Sequence, residues 1–139
     1  MQTMRREDST VEATVGYAAD ERGGGVAYAR VVGARAKRLL RIAFRVPESS
    51  TERATGYAAL TAVCRALARR GVRDVCFLVE DPELVDEIST GRGIGERLVL
   101  PYVRLRCALN ALTKFTVVRG ASGELSQRAR AEVALNVAA

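Results

Sequence analysis

The chain has 139 residues, 48% hydrophobic and 27% charged, which suits one domain with its own core and excludes disordered and fibrous classes. Its 22 Lys and Arg outnumber 16 Asp and Glu for a net charge of +6, and only Lys37 and Lys114 are lysines. Arg forks match phosphate and carboxylate in two-pronged fashion, so an anionic partner is expected, although a codon bias toward Arg is a second source of the excess. The absence of His removes the commonest general base and transition-metal ligand. Scarce Asn and Gln fit a heat-adapted source.

Residues 1–10, with Arg5 and Arg6, read as a flexible basic tail ahead of a single domain spanning 11–139. Residues 11–19 alternate, with Val11, Ala13, Val15 and Tyr17 on one face, and predict a first strand. Asp20 to Gly25 is a turn, 25–32 a second strand, and 33–37 another turn. In the third strand, 38–46, Leu40, Ile42, Phe44 and Val46 point inward while Arg41 and Arg45 point out. Strands this short, joined by tight turns, make an antiparallel meander, ended by Pro47. A helix over 50–70 follows, with Ala59, Leu60, Val63, Cys64 and Leu67 as its apolar stripe and Gly71 as its stop. The apolar run 75–79 reads as a strand covered on both faces. Asp81-Pro82 opens a short helix to 88, with Asp81 as N-cap and Pro82 at its first position. A glycine-rich basic loop spans 89–97, and a helix from near Pro101 buries Leu105, Leu109 and Leu112. Residues 114–119 make a fifth strand, and the Ala-rich stretch from Glu124 to Ala139 a last helix. The order β-β-β-α-β-α-α-β-α predicts a mixed α/β sheet, an antiparallel meander extended by parallel strands through helical crossovers.

Cys64, Cys76 and Cys107 stand far apart in apolar stretches and form no CxxC pair. They are expected to be buried free thiols in a reducing compartment, with a Cys64–Cys76 bridge as the alternative. No apolar run approaches the ~20 residues that span a bilayer, and a soluble, cytoplasmic protein is expected.

This order of elements, at this length, resembles the ribonuclease H-like fold. The similarity covers the chain from about Val11 to Val137. Asp81-Pro82-Glu83-Leu84-Val85 looks like that family's strand-ending Asp and following small helix. Leu100-Pro101-Tyr102 resembles the start of its long helix, Phe115 to Arg119 its last strand, and the glycines before Val26 its glycine-rich turn. The family's chemistry uses four carboxylates around two divalent metals, one activating water and one stabilising the leaving oxygen. Asp81 fits the third acid. The first acid should fall near Ala18–Asp20, where only Asp20 serves. The helix Glu should fall near Gly56, the last acid near Arg130, and the loop His near Gly120. The resemblance therefore implies a fold kept without its metal site, with no cofactor and Asp81 as a vestige. The alternative is a shifted site of Asp20, Glu52 and Asp81, with Glu132 as a fourth acid.

The cations gather at Arg35, Lys37, Arg38, Arg41 and Arg45, at Arg92 and Arg97 beside the glycine loop, and at Arg104 and Arg106. Charges along an edge strand also serve to block sheet-to-sheet aggregation. As a phosphate-binding surface they would bind in a salt-dependent way. Aromatics are 5% of the chain and scattered, which argues against base stacking and for recognition of backbone and helical shape, as in duplex RNA. The expected function is non-catalytic binding of structured RNA, in a ribonucleoprotein such as the ribosome with ribosomal proteins as neighbours. The alternatives are a divergent metal-dependent nuclease, or a protein-interaction scaffold using the third-strand edge or Leu98–Leu100.

Overall fold

The computed structural model describes residues 10–138. Five strands, β1 (Thr10–Ala19), β2 (Gly24–Val32), β3 (Lys37–Arg45), β4 (Asp74–Val79) and β5 (Lys114–Arg119), form one sheet in the order β3-β2-β1-β4-β5. β1, β2 and β3 pair antiparallel, while β4 runs parallel to β1 and to β5. The helices are α1 (Glu52–Arg69), α2 (Pro82–Thr90), α3 (Val99–Leu109) and α4 (Gly123–Ala138), with a 3₁₀ turn at Glu96–Leu98 before α3. The mixed sheet and its flanking helices are the expected α/β architecture. Residues 1–9 of the expected tail lie outside the described residues. Thr10 is not tail but the start of β1, where its hydroxyl donates to Asp74 Oδ2 at 2.9 Å.

The period-two patterns place the strands as read. Ala13 and Val15 are buried on the α1 face, and Leu40, Ile42 and Phe44 pack against the same core. α1 lays Leu60, Val63, Cys64 and Leu67 on that core and packs against α3, which adds Leu105 and Leu109. On the other face α4 lies over β1 and β2, through Leu125 and Ala129 on Val26 and Tyr28. A Cβ on Gly16 would sit 2.4 Å from the Ser126 backbone nitrogen, so a bare β1 lets α4 lie directly on the strand.

Three expectations are corrected. β4 is fully covered on one face only: Val75, Phe77 and Val79 are buried, while Cys76 and Leu78 are half-buried because α4 lies over β1 and β2. α3 starts at Val99, not near Pro101, and Pro101 is accommodated in its first turn, where a missing N–H costs nothing. The cysteines are all free, but only Cys64 is buried; Cys76 is intermediate and Cys107 exposed, on the outer side of α3. Burial pushes the Cys64 thiol up to about 11, which makes it unreactive at neutral pH.

Candidate functional site

The candidate site lies where β4 hands over to α2, beside the start of α1. Thr51 caps α1 by accepting the Ala54 N–H at 3.1 Å, which brings Arg53 into the first turn facing β4. Asp81 caps α2 as expected: its Oδ1 accepts the N–H groups of Glu83 at 3.0 Å and Leu84 at 3.3 Å. The same carboxylate binds Arg53, whose Nε donates to Oδ2 at 2.7 Å. Arg53 also donates to Glu83 Oε2 at 2.9 Å and to Glu87 Oε2 at 2.8 Å. Glu83 and Glu87 are four apart on α2 and so share one helix face. Glu87 is 8% exposed, and its other oxygen accepts the Tyr57 hydroxyl at 2.7 Å. Burial, then the bond to Glu87, pushes the Tyr57 phenol up, so it remains a donor. One guanidinium thus bridges three carboxylates, Asp81 and Glu83 at the start of α2 and Glu87 further along it, and offsets one of their charges.

Tyr17 closes the site from β1. A Cβ on Gly56 would lie 2.7 Å from the Tyr17 hydroxyl and 2.8 Å from Leu84 Cδ2, so the phenol fills the space a side chain there would need. Burial first, then the charges of Asp81 and Glu52, push the Tyr17 phenol up to about 12. The β1 residue facing Asp81 is therefore a protonated phenol.

Two divalent cations do not fit this set of residues. Both Asp81 oxygens are engaged, Gly56 offers no donor, and Tyr17 holds its proton. A dication about 4 Å from the Arg53 guanidinium would meet a repulsion of roughly 8 kcal/mol at an effective dielectric of about 20, so it would have to displace Arg53 from the carboxylates that hold it. Among the described residues no group of three or more carboxylates and thiols is arranged to hold a metal ion. The shifted alternative is not assembled either. Asp20 Oδ1 accepts the Gly24 N–H at 3.0 Å in the β1–β2 turn. Glu132 lies on the opposite face of the sheet, on α4, bound by Arg41 and accepting the Tyr28 hydroxyl at 2.5 Å. Arg41 first, then Tyr28 against the cost of burial, hold the Glu132 carboxyl below the usual range. Near the head of α4, Glu80 accepts the Ser122 N–H at 2.7 Å; the Ser122 side chain first, then the backbone N–H groups of Ser122 and Gly123, hold its carboxyl low against the cost of burial. Arg130 adds to the same lowering, so the helix position implied for the last acid carries a cation toward Glu80.

The expected cationic residues separate into groups. Arg35, Lys37 and Arg38 are exposed around the β2–β3 turn and take part in none of the ion pairs among the described residues. Arg41 is engaged by Glu132 through two-pronged contacts. Arg45 donates to the Arg22 carbonyl at 3.3 Å. Arg92, Arg97 and Arg104 are exposed, and Arg106 lies over the Phe115 ring at 5.4 Å. Phe115 is on β5, the edge opposite β3, four strand spacings or about 19 Å across the sheet. The structure does not bring the β3 and α3 cations into one patch.

Arg53, Glu87, Tyr57 and the site role of Tyr17 escaped the sequence reading. Their one local signal is the Glu83–Glu87 spacing behind Asp81, which places carboxylates on one face in need of a counter-ion. Tyr17 was legible as an inward strand residue, but not its approach to Gly56.

The architecture is that of the ribonuclease H-like fold. Solved structures with the same fold include RNase H1 from the halophilic archaeon Halobacterium salinarum NRC-1, with a TM-score of 0.73 at 16% identity over 91% of this chain and 98% of that one. The N-terminal RNase H domain of a Mycobacterium tuberculosis protein superposes with a TM-score of 0.72 at 14% identity, over 92% of this chain and 98% of that one. LC11-RNase H1, solved with an RNA/DNA hybrid, gives 0.65 at 11% identity, covering 93% and 99%. No protein-family model and no curated protein sequence matches the chain.

Proposed function

We propose that the chain is a nucleic-acid-binding protein that does not cut its ligand, built on a ribonuclease H-like fold, with structured RNA as the ligand class. The observation that carries this reading is Arg53 seated on Asp81, with Tyr17 filling the space beside Gly56. A guanidinium there is a fixed cation that occupies the carboxylates and disfavours metal. The exposed Arg35–Lys37–Arg38 turn supplies phosphate contacts, and few aromatics are available for stacking. A small basic chain of this kind suits a component of a cytoplasmic ribonucleoprotein such as the ribosome, and that step rests on size and charge by analogy.

A second reading, a divergent metal-dependent nuclease, is favoured by the fold neighbours themselves, which are named as RNase H domains. A titration on labelled duplex RNA, RNA/DNA hybrid and single strands separates the two readings. It is run at several salt concentrations with Mg²⁺ or Mn²⁺ present, and the strands are checked afterwards. Salt-dependent binding with intact strands supports the binder and makes co-sedimentation with ribosomes the next step. Cutting that disappears in Asp81→Asn establishes the nuclease and overturns the proposal. No binding at low salt overturns both.

A further inference from the structure

The outer side of α3 carries an apolar surface that the nucleic-acid reading leaves unused. Val99, Leu100 and Val103 are 49%, 57% and 46% exposed, among the largest exposed apolar side chains of the described residues. At about 100° of rotation per residue, Leu100, Val103 and Cys107 fall within a sector of about 60°, and Val99 widens it to about 100°. That sector is opposite the buried Leu105, Ala108 and Leu109, so it cannot be the helix's own core face. At its C-terminal end the stripe runs into a groove between α1 and α3, lined by Ala68, Cys107, Ala108 and Ala111. A contiguous apolar strip on a charged surface marks a place where another molecule sits.

The rim says what kind. Arg104 and Arg106 flank the stripe on either side, and Arg65 and Arg69 line the groove beyond Cys107. Glu96 lies in the preceding 3₁₀ turn, at its N-terminal end. A second copy of this chain, pairing α3 with α3, would set these Arg rims against each other and be repelled. A phosphate backbone would find cations but nothing to match Val99, Leu100 and Val103. We infer that the outer face of α3 docks an amphipathic helix of a partner protein, with apolar residues on one face and acidic residues flanking it. α3 is about 16 Å long, so about three turns of the partner lie against it.

The proposal is tested with a labelled helical peptide of about 15 residues, carrying leucines three and four apart and glutamates on both flanks. A twin with lysines for the glutamates is the control. The Glu peptide is expected to bind the full chain at least about tenfold more tightly than its twin, with an affinity that falls as salt rises. Leu100→Asp is expected to cost at least about tenfold in peptide affinity, with the thermal melt unchanged because the side chain is exposed. The joint Ala replacement of Arg35, Lys37 and Arg38 should leave peptide binding intact while weakening RNA binding, which separates this inference from the proposed function. Equal binding of the twins, no binding of either, or indifference to Leu100→Asp overturns it. So does a dimer of the chain in sedimentation that Leu100→Asp turns to monomer, since the occupant is then a second copy.

Discussion

Replacing Arg53 with Ala removes one side chain and leaves three carboxylates without their common counter-ion. The Glu83 partner is 75% exposed, and solvent screening reduces its share to a few tenths of a kcal/mol. Asp81 is 23% exposed and keeps its two backbone N–H donors, so its loss is about 1 kcal/mol. Glu87 is the costly one: its side chain is 10% exposed and would keep only the Tyr57 hydroxyl, a loss of about 1–3 kcal/mol. The sum is about 2–4 kcal/mol, or a melting temperature lower by about 10 °C for a domain of this size. Thermal melts at neutral pH followed by circular dichroism measure it. Adding Glu87→Gln to Arg53→Ala should recover much of the loss, because the charge left unpaired is then gone. A drop below about 2 °C, or a double variant no better than the single one, would refute the view that Arg53 serves as the internal cation of this site.

Other outcomes follow from the same geometry. In an alkaline absorbance titration Tyr17 and Tyr57 should ionise above the ordinary phenol range. The rise of Tyr17 from 10.0 to about 12 corresponds to about 2.7 kcal/mol, present below pH 10 and lost as pH climbs toward 12; Tyr17→Phe should flatten that loss. Glu132 and Glu80 have depressed folded values, so their contribution holds above the ordinary carboxylate range and disappears as pH falls below it. Acid melts of Arg41→Ala should show the smaller pH dependence, because that variant has lost the main cause of the Glu132 shift. Gly16→Ala should destabilise by at least about 2 kcal/mol in denaturant unfolding, since its Cβ meets the α4 backbone at 2.4 Å. In RNA titrations, joint Ala replacement of Arg35, Lys37 and Arg38 should reduce the salt slope by about two to three, and Arg41→Ala should matter less because Glu132 already engages that guanidinium.

The order and face of nearly every element were legible in the chain, because period-two and period-3.6 patterns are local. Leu40, Ile42 and Phe44 could be set inward and Arg41 outward without knowing what lay above them. Asp81-Pro82 announced a helix start through an N–H count that needs only the next few residues. Which helix covers which strands was not local. The coverage of Cys76 and Leu78 depended on where α4 came to rest, and that was set by Gly16, some 110 residues away in sequence.

The sequence by itself determined the mixed sheet, the caps and the surplus of Arg, since propensity, periodicity and charge are carried residue by residue. Only the tertiary structure decided what the site is made of. Arg53 meets Asp81, Glu83 and Glu87 across a separation of about thirty residues, and Tyr17 on β1 reaches Gly56 on α1. It also decided that Arg41 is spent on Glu132 while Arg35, Lys37 and Arg38 stay exposed. Pairing depends on distance in space, and for residues far apart in the chain that distance is fixed by how sheet and helices pack.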